Sequence, residues 1–166
     1  MSQFYNDQYN FNCIHLLLTN LYGPGDDFNP FSSHVIPSLI YKIEEAKSRK
    51  KKTIIVWGDG SASRELLFVK DAAEAIMLAT KFYNNKSPIN IGSGRQTSIK
   101  ELVYLIKEIM KFKGEIKWDT TKVVGQKFNQ FETSLAREKF NFEAKTSLIK
   151  GLNQTINWYM EKKRNP

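Results

Sequence analysis

The sequence predicts an α/β fold, and three observations carry that prediction. Segments with apolar residues at helical spacing alternate with short β-branched apolar runs. Clusters of Gly, Pro, Asn, Asp and Ser punctuate the boundaries between them. Of the 166 residues, 41% are apolar and 13% aromatic, enough to bury a core and to exclude a disordered chain. The single cysteine, Cys13, excludes a disulfide-stapled fold and a thiolate metal site, and fits a reducing compartment. No apolar run approaches the roughly 20 residues of a membrane helix, and Met1 to Asn10 does not read as a signal peptide. A cytoplasmic protein is expected.

Along the chain, Ser2 to Tyr9 reads as the last turns of a helix, and Phe11 to Leu18 as a strand buried on both faces. Tyr22 to Asp27 is dense in turn formers. Ser33 is the expected N-cap of a helix carrying Val35, Ile36, Leu39, Ile40, Ile43 and Ala46, with Pro37 confined to its first turn. Thr53 to Trp57 is a strand, Gly58 to Ser61 a turn, and Glu65 to Val69 the next strand. Asp71 opens a helix, and Ile89 to Ile91 is a short strand running into Gly92-Ser93-Gly94. Ser98 and Glu101 form a capping box for the helix that buries Leu102, Leu105, Ile106 and Ile109. A strand over Glu115 to Trp118, an irregular Lys122 to Thr133, a short helix over Ser134 to Phe140 and a final helix capped by Ser147 complete the order.

The net charge is +8. Much of the excess sits in Lys47-Ser48-Arg49-Lys50-Lys51-Lys52 and in Lys162-Lys163-Arg164. A nucleic-acid surface would interleave such cations with stacking aromatics, whereas the aromatics here fall mostly at core spacing. The runs therefore read as solvated, and no nucleic-acid partner is expected. No G-x-G-x-x-G opens a strand–turn–helix unit, and Gly92-Ser93-Gly94 has no third glycine at the required offset. With only His15 and His34, no metal site is expected. A G-x-S-x-G elbow is absent as well.

The segments Thr19-Asn20-Leu21-Tyr22-Gly23-Pro24-Gly25-Asp26-Asp27-Phe28 and Ser33-His34-Val35-Ile36-Pro37-Ser38-Leu39-Ile40 closely resemble the GDP-L-fucose synthases. These are extended short-chain dehydrogenase/reductases of the NAD-dependent epimerase/dehydratase family. Val56 to Ser61, Arg64 to Asp71, Asn90 to Gly94, Lys113 to Asp119 and Lys145 to Tyr159 continue the likeness in the same order. The resemblance implies the C-terminal substrate-binding portion of such an enzyme, with the last strand or strands of an incomplete Rossmann sheet. Residues 1–22 would end the Rossmann domain and 23–166 would be mainly substrate-binding, with about 65–92 able to return to the Rossmann sheet. The family's glycine-rich NADP loop and its catalytic Ser, Tyr and Lys have no counterpart in this sequence.

The family epimerises C3 and C5 of a GDP-4-keto-6-deoxy-hexose and reduces the ketone with NADPH. The resemblance implies His34 as the acid/base; imidazole suits proton exchange beside a ketone near neutral pH. Its alternative is a helix-capping residue. Arg64 corresponds to the arginine on the diphosphate or sugar, where a guanidinium fork donates paired bonds. A surface ion pair with Glu65 or Asp71 is its alternative. Trp57 would pack on the sugar or belong to the core. Asn20 would bond substrate or cofactor, or stabilise its loop. Leu21, with Asn20 and His34, falls at the cofactor positions. Val35 and Leu39 would wall the nucleotide pocket or serve as helix core. Lys42 stands where the family often has Arg, so the charge stays and the fork is lost. Leu18 replaces a proline. Val123 to Asn129 replaces a basic loop, with only Gly125 in place and Lys127 displaced.

The expected partners are a GDP-sugar, a separately encoded Rossmann half, and a second copy or other chain meeting exposed apolar surface; no membrane is expected. NADP belongs to the complete enzyme, and tight binding by this chain alone is not expected, nor is turnover. A non-catalytic sugar-nucleotide-binding or oligomerisation module is the alternative, and a basic nucleic-acid-binding domain is a third reading. Because a doubly buried parallel strand needs neighbours, marginal stability or association is expected as well.

Overall fold

The structure, a computed structural model, describes residues 2–122 and 131–165. The segment Val123 to Asn129, where the basic loop of the family is replaced, lies outside the described residues. The elements run α1 (Ser2–Tyr9), β1 (Leu16–Leu18), β2 (Asn20–Tyr22), α2 (Val35–Ser48), β3 (Thr53–Trp57), β4 (Ser63–Phe68), α3 (Val69–Phe82), β5 (Ile89–Ile91), β6 (Gln96–Ser98), α4 (Ile99–Ile109), β7 (Glu115–Asp119), α5 (Ser134–Phe140) and α6 (Leu148–Arg164). The α/β expectation holds, and two of the pairings, β1 with β5 and β3 with β7, are parallel. Strands β2, β4 and β6 pair in the order β2-β4-β6.

The chain divides into two compact units. The first comprises Met1–Leu21, Glu65–Arg95 and Gln130–Thr146; the second comprises Tyr22–Arg64, Gln96–Asn129 and Ser147–Pro166.

In the first unit, Leu16, Leu17 and Leu18 pair with Ile89, Asn90 and Ile91. Ile89 and Ile91 point into a core built with Leu67, Ala72, Ala75, Ala79, Tyr83 and Phe140. The alanines recur on one face of α3 and let that helix approach the strands closely. The buried Asp71 accepts from the Thr146 amide at 3.0 Å and from its hydroxyl at 2.9 Å, joining two distant stretches of chain. Glu65 is wholly buried; its carboxylate accepts from the Gly94 amide at 2.8 Å and the Phe131 amide at 3.2 Å. Gly92 makes room for it, since a Cβ there would run into the Glu65 carboxylate.

In the second unit, α2 packs on β3 and α4, and α4 packs on α6. Ile36, Ile40, Ile43, Val103, Ile106 and Leu152 are buried almost completely. Ser98 caps α4, its hydroxyl accepting from the Glu101 amide at 3.1 Å, and Ser147 accepts from the Lys150 amide at 3.4 Å. Phe28 stacks on Tyr159 with ring centroids 4.3 Å apart.

Four local expectations are corrected. The strand over Phe11 to Leu18 contracts to three residues, with Phe11, His15 and Leu17 exposed, so it is not buried on both faces. The N-cap of α2 is His34, without a side-chain cap bond. The Ser33 hydroxyl is instead buried with no hydrogen-bond partner among the described residues. Helix α3 begins at Val69, and Asp71 serves as the buried anchor for Thr146 rather than as its first residue. Two three-residue strands, β2 and β6, were not expected, being too short for an alternating pattern to show.

Candidate functional site

Strand parity sets the first component of the site. Along β3 the side chains of Ile54 and Val56 are buried and those of Ile55 and Trp57 exposed, as a period of two requires. Trp57 ends the strand 66% exposed, which removes the alternative of a core tryptophan. Helical spacing sets the second component. Val35, Leu39 and Lys42 lie at i, i+4 and i+7 on α2, one stripe of one face.

The turn after β3 closes the floor. Gly58 and Gly60 have φ of 84° and 79°, left-handed values that favour glycine. A Cβ on Gly60 would stand 2.7 Å from Trp118 Cη2, so that position needs glycine for space as well. Asp59 Oδ1 accepts from the Ser61 amide at 2.9 Å and the Ser61 hydroxyl at 2.6 Å, fixing the turn. Ile99 and Lys100 donate their amides to the Ala62 and Gly60 carbonyls, which ties the start of α4 to the same turn.

These parts surround a cleft of about 240 Å³, whose lining includes Val35, Leu39, Lys42, Trp57, Asp59 and Arg64. The second unit therefore brings together five of the residues singled out in the sequence: Val35, Leu39, Lys42, Trp57 and Arg64. Leu39 is also buried, so wall and core are one role for it. Arg64 Nη1 donates to the Ser63 carbonyl at 2.7 Å. The two acids considered as its surface partners are buried and hold backbone amides, Glu65 those of Gly94 and Phe131, Asp71 that of Thr146.

The electrostatics of the cleft are cationic over an aromatic face. Lys42 Nζ stands 5.5 Å from the centroid of the Trp57 ring, and Lys122 Nζ stands 5.9 Å from it. Burial holds the Lys42 ammonium below its ordinary pKa. Two ammonium groups, a guanidinium and an indole face suit an anionic ligand with a ring or apolar body. The cleft's volume is below the roughly 300–1,000 Å³ of a pocket that encloses a drug-sized ligand, so it suits one portion of such a ligand.

His34 precedes Val35 but does not itself line the cleft. It is exposed at the N-cap of α2, within electrostatic reach of Asp26 and Asp27. Burial raises the Asp26 carboxyl above the usual range, opposed by the Asp27 amide and by His34. The Ser32 hydroxyl, donating to Asp27 at 2.5 Å, holds the Asp27 carboxyl below it.

Asn20 and Leu21 belong to the first unit and are both exposed. Asn20 Nδ2 donates to the Glu65 carbonyl at 3.1 Å, which leaves its Oδ1 for another partner. A dinucleotide needs a turn whose amides face phosphate. In the Gly92-Ser93-Gly94 turn, the Gly94 amide donates to Glu65 and the space beside Gly92 is filled by the same carboxylate. That turn does not fit a pyrophosphate. His15, exposed before β1, takes no part. No cluster of metal-ligating side chains occurs among the described residues.

Sequence reasoning missed Lys122 and Asp59. Asp59 reads as an ordinary turn former, and Lys122 borders a segment with no periodicity, so only the fold places Lys122 beside Trp57.

Comparison with known proteins agrees with the fold. The chain is 39% identical over 159 residues to GDP-L-fucose synthase 1 of Arabidopsis thaliana, covering 96% of this chain and 49% of that protein. It is 39% identical over 152 residues to GDP-L-fucose synthase of Sinorhizobium fredii, covering 92% and 48%. A GDP-L-fucose synthetase from Naegleria fowleri superposes with a TM-score of 0.89 at 27% identity, covering 98% of this chain and 52% of that one. The same enzyme with NADP bound gives 0.88. The chain thus spans about half the length of the curated relatives it matches. The model of the NAD dependent epimerase/dehydratase family matches residues 1–92, and the chain belongs to that family.

Proposed function

We propose that the chain is the nucleotide-sugar-binding part of an epimerase/reductase of the GDP-L-fucose synthase type, acting on a GDP-4-keto-6-deoxy-hexose. The observation that carries this is the convergence of Lys42, Trp57 and Arg64 on one cleft. In this reading Arg64 and Lys42 neutralise the diphosphate, Arg64 with paired hydrogen bonds and Lys42 as a point charge. The Trp57 face packs on a ring of the ligand, and Val35 and Leu39 wall the nucleotide. His34 gives or takes a proton on one face of the carbons flanking the ketone, and a second acid/base group on the opposite face, one that the family carries outside the matched segment, completes each inversion. Asn20 and Leu21 contact substrate or cofactor at the end of the first unit. When bound, NADPH supplies the hydride for ketone reduction.

This sequence has neither the glycine-rich loop nor the catalytic Tyr and Lys of the family. The cofactor-binding half of such an enzyme, working in the cytoplasm, would provide them, and the segment alone binds without turnover. The commitment of the Gly94 amide to Glu65 favours a second reading in the same terms, a binding module that has no cofactor site of its own.

Titration of the chain with GDP, followed by tryptophan fluorescence, tests the binding claim. Wild type should quench saturably and Trp57→Phe should not, while Arg64→Gln should weaken GDP roughly tenfold or more, the worth of a charge-assisted bond. Guanosine affinity should be unchanged by Arg64→Gln. Absence of GDP binding would sink the proposal. Loss of NADPH absorbance once a relative's cofactor-binding half is added would separate the enzyme from the binding module.

A further inference from the structure

A second concavity lies at the opposite end of the β3–β7 pair from Trp57. It measures about 800 Å³ and is lined where the first residues of the two strands, Thr53 and Glu115, stand paired. Six lysines surround it: Lys47, Lys50, Lys51, Lys52, Lys111 and Lys113. The first four belong to the run that reads as solvated in the sequence. The last two arrive from 60 residues away along the chain, at the end of α4 and before β7.

Part of this charge has an ordinary explanation. Lys47 Nζ donates to the Met110 carbonyl at 2.6 Å, and Lys51 stands 3.9 Å from Glu45. A cation near each helix C-terminus also answers the helix dipole. Pairing with a side chain or carbonyl does not account for the remaining four. Among the described residues, no ion pair or side-chain hydrogen bond engages Lys50, Lys52, Lys111 or Lys113.

Two backbone features hold these cations together at a cost. Lys50 and Lys111 follow the ends of α2 and α4 with φ of 52° and 53°. Their neighbours close the caps, Lys51 to the Ala46 carbonyl and Phe112 to the Lys107 carbonyl. Glycine is the favoured residue at such a left-handed position. Both caps instead carry lysine, and both face the same cleft. Gly114 then brings the lysine-bearing segments into contact. A Cβ there would meet the Phe112 ring and stand 2.6 Å from the Lys52 carbonyl.

We propose that this cleft binds an inorganic oligophosphate, a short chain of linked phosphates, through Lys50, Lys52, Lys111 and Lys113. Closely spaced like charges in a concavity call for a multivalent anion. The lining has no arginine and no exposed aromatic, Phe112 being buried, so it lacks the surfaces on which nucleobases stack. That favours linked phosphates over a nucleic acid.

Calorimetry on the full chain at low salt, with tripolyphosphate as the probe, tests the assignment. Wild type should bind, and replacing all four lysines by glutamine should weaken binding roughly tenfold or more. A control with Lys70, Lys81, Lys150 and Lys162 changed to glutamine has the same net charge and should bind like wild type. The pair Lys50→Gly and Lys111→Gly should raise Tm while lowering affinity, a combination that a purely structural role for these lysines would not give. The assignment is overturned if wild type does not bind, or if the control loses as much as the cleft variant. It is also overturned if Arg64→Gln abolishes binding, which moves the anion to the other cleft, or if an oligothymidylate or orthophosphate binds more tightly than tripolyphosphate.

Discussion

Lys42 is half-buried on α2, and burial alone pushes its pKa down from the ordinary 10.5. The folded state thus holds this proton less tightly than the unfolded chain does. Lys42 therefore weakens stability below its folded pKa, and the loss is recovered as pH rises from the folded value toward 10.5. A diphosphate placed beside it reverses the shift, because a nearby anion favours the charged form. Binding of GDP should then take up a proton in the alkaline window just below 10.5. Calorimetry at such a pH, in two buffers of different ionisation enthalpy, should give different apparent enthalpies for wild type. Lys42→Gln should give the same value in both. Equal enthalpies for wild type would mean that the anion does not settle beside Lys42.

At the scale of elements, the loop carrying Gly92 is held by the buried Glu65 carboxylate. Gly92→Ala puts a methyl group against that carboxylate and 2.8 Å from Thr19 Cγ2. Glu65 can yield only by releasing the Gly94 and Phe131 amides. Overpacking and lost hydrogen bonds together should destabilise by about 2–4 kcal/mol, read as a lower Tm. Glu65→Asp shortens the acid, so the double variant should be less destabilised than the sum of the single changes. A Gly92→Ala protein melting like wild type would show that the loop relaxes freely.

The same scale shows what was legible in the sequence. Helices α2, α4 and α6 could be read because each repeats apolar residues over three turns or more. The wall of the cleft was legible only through the likeness to the GDP-L-fucose synthases, and the shared stripe of Val35, Leu39 and Lys42 is what brings the three together. Strands of three residues cannot display a period, which is why β2 and β6 were missed and β1 was drawn too long. The cap of α2 was misassigned because Ser33 is the better cap by residue type, whereas the backbone turns helical one residue later. Lys111 and Lys113 join the earlier lysine run only through the pairing of β3 with β7, a contact that no local pattern encodes.

For the whole molecule, the first unit is the one short of partners. Its sheet has two parallel strands, and among the described residues each pairs on one edge only. Parallel strands ordinarily lie in larger sheets covered on both faces, and a two-stranded pair is marginal by itself. The same unit exposes Phe4, Tyr5, Tyr9, Phe11, Leu17, Ile76, Met77 and Phe82. A further chain that supplies strands and apolar cover would stabilise it by mass action. The isolated protein should therefore bind a hydrophobic dye or self-associate. In hydrogen exchange, the amides of β1 and β5 should lose protection before those of β3 and β7. Adding the cofactor-binding half of a relative should suppress dye binding and slow exchange in β1. The second unit already packs α2 on β3 and α4, and α4 on α6, and should change little. A dye-silent monomer in which β1 and β3 are equally protected would show that the first unit needs no partner to complete it.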